Sequence, residues 1–394
     1  MSKAGMTLTP LQILCVTDYY LPGFKGGGPI RTIANMRKLL ADQVEIAIFT
    51  RDRDLGADGP YESIQANEWL DAADGPIFYG DSEGFNAKSL QQAMAGRAFD
   101  VLYLNSFFGF RSSIQIVLAF RRVRQAPQIL LAPRGEFSQG ALAIKAFKKR
   151  MFLSLARGLG LYKNVQWHAS TEMEKDDILR QFPCAAGKIL LAEDPIDIEN
   201  GVEDEAPLKQ TGTAKLAFIS RISPMKNLDG LVRMLAIVKS NVELDIFGPV
   251  EDEGHWKTCQ ALIEALPENI ITTFQGPLEP DDVSRVFSQF DLFAFPTHGE
   301  NFGHVIFEAL RAGTPVLVSD QTPWKTDPTG AITALPLDDL DAWRQAIEQV
   351  AARAQPQQAA LRAATLDYAR SYAANTDTKK QNIAMFQNAA SCDR

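Results

Sequence analysis

The stretch that decides the fold runs from Phe295 to Val316 and reads FPTHGENFGHVIFEALRAGTPV. Leu292–Phe295 is a short β-rich apolar run, Pro296 ends it, the turn at Gly299 presents Glu300, and a helical pattern opens near Gly303. Strand, tight loop and helix in that order make one half of a βαβ unit. The unpaired amides at such a helix start bind phosphate or sugar oxygens, and a carboxylate accepts paired hydrogen bonds from vicinal hydroxyls. Glu308 stands inside an otherwise apolar stretch, which is an odd place for a merely solvated residue. The spacing from Glu300 to Glu308 thus suits one ligand with a charged part and a polyol part.

Outward from this stretch the same rhythm repeats. Strands are expected at Ile13–Thr17, Val44–Thr50, Ile77–Tyr79, Val101–Asn105, Ile129–Ala132, Val165–Ala169 and Ile189–Leu191, and again at Lys215–Ile219, Leu244–Phe247, Ile271–Phe274, Leu292–Phe295, Val316–Ser319 and Ile332–Leu335. The chain's 394 residues exceed one ordinary core. The expected fold is therefore α/β, two doubly wound domains at residues 1–192 and 208–375. A polar linker at 193–207 joins them, and a final helical pattern at 376–394 packs back on the first domain. Ligands of such sheets bind outside the carboxyl ends of the strands, and the cleft between the domains is the expected site.

Two further loops follow strands. Arg221-Ile-Ser-Pro-Met-Lys226-Asn follows the first strand of the second half. Its Arg221 fork and mobile Lys226 charge suit a diphosphate better than a carboxylate, surface ion pairs being the plain alternative. The first strand of the chain leads into Gly26-Gly27-Gly28-Pro29, where backbone amides can approach a ligand closely. Neither G-x-G-x-x-G nor G-x-x-x-x-G-K-[ST] occurs, which argues against NAD and P-loop chemistry. Asp52-Arg53-Asp54 imitates a metal-holding D-x-D pair but lacks a third ligand, so no metal is expected.

These runs resemble a known family. Glu300 to Glu308 looks like the E-x7-E motif of family-four retaining glycosyltransferases of the GT-B fold, and Arg221 to Lys226 like their R-x4-K element. Ile246-Phe-Gly-Pro249, Phe274-Gln-Gly-Pro-Leu278 and the glycine loop fall where that family has them. The resemblance implies two Rossmann-like domains and sugar transfer from a UDP- or GDP-linked donor to a hydroxyl acceptor, with retention and without a cofactor. It implies that Arg221 and Lys226 bind the diphosphate, Glu308 the ribose and Glu300 the moving sugar. The amides of Gly27, Gly28, Phe302 and Gly303 would complete those contacts. Pro133-Arg134-Gly135-Glu136 departs from the family, whose members often place a histidine there. Arg134, Glu136 and His168 are the acceptor-side candidates, although Thr171 and Glu174 form a capping-box pattern that equally suits a structural His168. A nucleotide-sugar epimerase on the same plan, or an inactive sugar-nucleotide-binding module, are the competing readings.

Composition excludes other classes. Apolar residues make up 46% and charged residues 22%, as in globular proteins. No apolar run is long enough to span a bilayer, residues 1–10 lack a secretion-signal pattern, and Cys15, Cys184, Cys259 and Cys392 form no metal or disulfide spacing. The cytoplasm is the expected compartment, and no nucleic acid partner is expected. Residues 1–192 carry 23 Lys+Arg against 18 Asp+Glu, whereas the remainder carries 17 against 30. The basic excess centres on Asn105–Lys163, with eleven basic residues and one acid, among them Arg121, Arg122, Arg124, Lys148, Lys149 and Arg150. A helix through Ala141–Arg157 is expected there, with Ile144, Phe147, Met151 and Leu155 as its core stripe. Lys149, Arg150 and Arg157 lie opposite, with Leu142 and Leu153 exposed among them. This pattern suggests a lipid-linked acceptor in cell-surface polysaccharide or glycolipid assembly, and peripheral docking on an anionic inner membrane face.

Overall fold

The computed structural model describes residues 10–62, 64–121, 123, 126–196, 207–375 and 377–391. Arg122, Arg124, Cys392, residues 1–9 and positions 197–206 of the expected linker lie outside the described residues. The chain divides into two compact units. One comprises residues 1–138, 142–196 and 377–394, the other residues 139–141 and 197–376.

The first unit is built on an eight-stranded sheet, β1 (Leu11–Val16), β2 (Val44–Arg51), β3 (Trp69–Ala72), β4 (Gly75–Gly80), β5 (Val101–Asn105), β6 (Gln128–Ala132), β7 (Gln166–Ala169) and β8 (Ile189–Leu191), ordered β3-β4-β2-β1-β5-β6-β7-β8. Every pairing is parallel except β3 with β4. Strand alternation sends Leu14 and Val16 to one face and Ile13 and Cys15 to the other, and both faces are buried. Two covered faces are what near-continuous apolar strands require. The helix Thr378–Ser391 belongs to this unit. Its Phe386 sits edge-on to Tyr103 at 5.4 Å, and its Asn382 Nδ2 donates to the Glu193 carbonyl at 2.9 Å. Asp194, placed in the linker by its polarity, is buried in this unit against Arg134.

The second unit carries six parallel strands, β9 (Thr213–Ile219), β10 (Asn241–Phe247), β11 (Ile270–Gly276), β12 (Leu292–Phe295), β13 (Val316–Ser319) and β14 (Ile332–Leu335), ordered β11-β10-β9-β12-β13-β14. In both sheets the order reverses beside the first strand, at β1/β5 and at β9/β12. Successive crossovers there leave to opposite faces, so the loops at these carboxyl ends part and leave room for a ligand.

The basic helix differs from its expectation. It breaks into Gln139–Ala143 and Ala146–Gly158, with Lys145 between them at φ 53°. The apolar stripe faces outward, with Phe147 79% exposed and Met151 60%, while Leu153 is 2% exposed and packs in the core. Inside the first unit the space is already filled by Phe107, Phe137, Tyr162, Trp167 and Phe182 in mutual ring contact. Only one narrow side of the helix is accommodated.

Candidate functional site

In the second unit the loops after β9 and β12 are tied together at the switch point. The turn Pro224–Lys226 ends in Asn227 at φ 58°, whose side chain donates to the Pro296 carbonyl at 2.8 Å. The His298 amide and the Thr297 hydroxyl both donate to the Met225 carbonyl, at 2.8 and 3.1 Å. This lacing brings the Lys226 ammonium onto the Glu300 carboxylate, both side chains about one-seventh exposed. Lys226 also lies 5.5 Å from the Phe295 ring centroid. Two residues 74 positions apart therefore share one semi-buried point, where a charge lost from one leaves the other uncompensated.

Arg221 follows β9 and is more open. Its Nη1 donates to Glu251 Oε1 at 2.8 Å, with side chains 35% and 41% exposed. The loop that carries it is pressed against Gly248, which has φ 131° and where any Cβ would stand 1.9 Å from the Ser220 carbonyl oxygen. Glycine is required at this approach. The helix His304–Arg311 starts at Gly303, φ 80°, with the Ile306 amide donating to the Gly303 carbonyl at 2.8 Å. Phe302 is buried, and its carbonyl accepts from Trp324 Nε1 at 2.6 Å. Glu308 is half-buried between Phe307 and Ala309. Arg221, Lys226, Glu300, Phe302, Gly303 and Glu308 thus all fall on the second unit's carboxyl-end loops and the helix they start.

In the first unit the glycine loop is held by Asp54, whose Oδ2 accepts from the amides of Phe24 and Lys25 at 2.9 and 3.1 Å. Asp52 pairs with Arg53 at 2.8 Å. Asp54 is committed to the loop and Asp52 to Arg53, and among the described residues no group of three or more His, Cys, Asp or Glu could hold a metal. Gly27 caps the helix Gly28–Leu40 at φ 76°, and its amide donates to the Phe24 carbonyl at 3.1 Å. Gly28 lies exposed at the first position of the helix.

The acceptor-side candidates are tied into internal networks. Arg134, at φ 55°, pairs with Asp194 and donates to Asn105 Oδ1 at 2.9 and 3.0 Å and to the Tyr103 hydroxyl at 2.6 Å. Burial works most strongly against its charge, yet Asp194, Tyr103 and Glu174 together more than offset that and hold the guanidinium protonated. Glu136 accepts from Ser106 Oγ and the amides of Phe107 and Phe108 at 2.9, 2.6 and 3.0 Å, while burial pushes its carboxyl above the ordinary range. His168 is fully buried. Its Nε2 donates to the Ala192 carbonyl at 2.8 Å, which leaves Nδ1 to accept from the Tyr103 hydroxyl at 2.7 Å. Burial first, and the Arg134 charge second, lower its pKa to about 4. Both nitrogens of His168 are thus used inside the fold and the side chain has no exposed surface. Thr171 does cap its helix by accepting from the Glu174 amide at 3.1 Å, but Glu174 reaches back to Ser170 and across to the Gly135 amide.

A cluster that the motifs did not reveal lies nearby. Asp18 and Arg51 each follow, by two residues, the paired positions Val16 and Phe49. Parallel register therefore sets them side by side, and Arg51 donates to Asp18 Oδ1 through Nε at 3.2 Å and Nη2 at 2.9 Å. Ser112 donates to the other carboxylate oxygen at 2.6 Å. Strand register was the signal that could have found this pair.

The match to a family model falls on the second unit. Residues 201–326 fit the family model for glycosyl transferases group 1. The chain is similar to D-inositol 3-phosphate glycosyltransferases, at 26% identity over 201 residues for that of Saccharomonospora viridis and 36% over 117 residues for that of Nocardia farcinica. These stretches cover 47% and 28% of this chain, and 47% and 26% of the relatives, so the chain spans less than half the length of the curated relatives it matches. Among solved structures, Anabaena HepE in complex with UDP and glucose superposes with a TM-score of 0.68 at 17% identity, over 96% of this chain and 100% of that one. At that identity the likeness concerns the fold, which is the two-Rossmann-unit plan of GT-B glycosyltransferases.

Proposed function

We propose that the protein is a glycosyltransferase that moves a sugar from a nucleoside diphosphate donor to a hydroxyl acceptor with retention of anomeric configuration. The observation that carries the reading is the meeting of Lys226 and Glu300 at the β9/β12 switch point, inside the residues that match the group 1 family model. Donor diphosphate takes Lys226 and Arg221 from their present carboxylate partners, Glu300 and Glu251. Glu300, so released, hydrogen-bonds the sugar hydroxyls, and Glu308 takes the ribose. As the glycosidic bond to the diphosphate breaks, negative charge grows on the leaving oxygen, and fixed cations stabilise that charge more than the bound ground state. The same cations make a divalent metal unnecessary.

The relatives' names and the UDP and glucose held by the Anabaena protein support a nucleotide-sugar donor, UDP- or GDP-linked. The first unit takes the acceptor, with Arg134 and Glu136 shaping its loops, in cytoplasmic assembly of a cell-surface polysaccharide or glycolipid. The experiment is incubation with a panel of nucleoside diphosphate sugars and hydroxyl acceptors. Nucleoside diphosphate release should be acceptor-dependent, and the product's anomeric proton should report the donor's configuration. Donor consumption that yields only an isomeric sugar nucleotide would replace transfer with epimerisation.

A further inference from the structure

The Ala146–Gly158 helix turns toward solvent a face that surface helices normally bury. Phe147, Met151 and Leu155 are 79%, 60% and 56% exposed, and Ile144 and Leu159 extend the row at 41% and 58%. At about 100° per residue, Phe147, Met151 and Leu155 fall within roughly 80° of arc. Exposed cations border the row on both sides, Lys148 beyond Leu155 and Arg150 with Arg157 beyond Phe147. The inward side is narrow. Leu153 and Ala156 enter the core, and Lys149 lies with its ammonium 4.9 Å from the Phe108 ring centroid. From Phe137 to Thr171 the chain holds six Lys and Arg and not one Asp or Glu.

We infer that this face docks on an anionic lipid bilayer. Phe147, Met151, Leu155 and Leu159 enter the boundary between headgroups and acyl chains, and Lys145, Lys148, Arg150 and Arg157 meet lipid phosphates. Apolar side chains in a row with cations on both flanks satisfy both layers of a membrane interface at once, because long basic side chains reach the phosphates while their stems lie along the apolar zone. A twofold contact with a second copy would set the same cations against each other. No helix among the described residues is long and apolar enough to cross a membrane, so the contact is a surface one. Vesicle binding is read without donor or acceptor, so its failure is distinct from a failure of the sugar-transfer reading.

The test is cosedimentation of the full chain with phosphatidylglycerol–phosphatidylcholine vesicles and with phosphatidylcholine alone. The protein should pellet with the first and remain in solution with the second, and salt should weaken the binding. The double variant Lys148→Glu, Arg150→Glu should bind at least about 25-fold more weakly, since each cation near anionic headgroups is worth about fivefold. The triple variant Phe147→Ser, Met151→Ser, Leu155→Ser keeps every charge and changes only exposed positions, so it should melt like the parent yet lose the salt-resistant part of the binding. Recovery of the parent in the supernatant equally with and without anionic vesicles overturns the inference. So does undiminished binding by the triple variant, or a parent dimer on gel filtration that the serines convert to monomer.

Discussion

Lys226 and Glu300 neutralise each other in the donor-free chain, and that exchange of partners shapes what substitution should do. Lys226→Ala and Arg221→Ala remove cations from a diphosphate, a loss of about 2–5 kcal/mol, or at least about 30-fold in affinity. Glu300→Gln frees Lys226 and should bind the bare nucleoside diphosphate at least as tightly as the parent, while transfer falls about 100-fold or more. Glu308→Gln should instead weaken nucleotide binding. Calorimetric titration together with turnover separates the two glutamates, and identical behaviour would merge their roles. His168 makes a different prediction. Its pKa of about 4 in the fold lies below the unfolded value of about 6.5, so the unfolded chain binds the extra proton between them. Stability from this group is complete above pH 6.5 and drains away as pH falls toward 4, by about 2 kcal/mol between pH 7 and 5. Urea denaturation at both pH values should show the parent losing about that much more stability than His168→Gln between them. The residue types of Arg221, Lys226, Glu300 and Glu308 were readable in the chain because their chemistry is particular. Their present partners were not, since Glu251 and the Lys226–Glu300 pairing depend on which loops the sheet order brings together.

At the scale of elements, strands were legible because two covered faces demand continuous apolar runs. β5, β8, β12, β13 and β14 run over the residues the sequence suggested. β3 was missed because it is a short, half-exposed edge strand, held through Trp69 against Phe78 at 5.6 Å. The basic helix shows a sharper limit. Periodicity tells which residues share a face, but which face turns inward depends on space elsewhere, here already taken by the ring cluster around Phe107. Backbone approach between elements makes its own prediction. Gly248 and Gly276 both have positive φ, but a Cβ at Gly248 strikes the Ser220 carbonyl whereas nothing lies within 4 Å at Gly276. Gly276→Ala should cost about 1 kcal/mol of strain. Gly248→Ala should cost about 1–3 kcal/mol more and weaken nucleotide binding by displacing Arg221. Denaturant midpoints and donor titrations of the pair check it; equal behaviour would remove Gly248 from the support of the site.

For the whole molecule, charge differs between the halves. The first half carries the net positive charge and the helix proposed for lipid, while the acidic second half holds the cations proposed for the donor at one switch point. The two-sheet plan was readable in the sequence, and so were the residues proposed for the donor, because each lies in a contiguous motif. The partners of Arg134, Glu136 and His168 were not readable, because Asp194, Ser106 and Tyr103 come to them from distant segments. Transfer should persist in a chelator, since Arg221 and Lys226 supply the positive charge that a metal would otherwise bring. Abolition by chelation with rescue by manganese would return Asp52 and Asp54 to consideration. The most direct measurement of the central claim is calorimetric titration of UDP-sugars and GDP-sugars, and of the nucleoside diphosphates themselves, into the parent, Lys226→Ala and Glu300→Gln. One donor should bind the parent, bind Lys226→Ala at least about 30-fold more weakly, and leave Glu300→Gln with undiminished affinity for the bare nucleoside diphosphate. Absence of binding by every donor, or equal affinity in the parent and Lys226→Ala, would contradict the account.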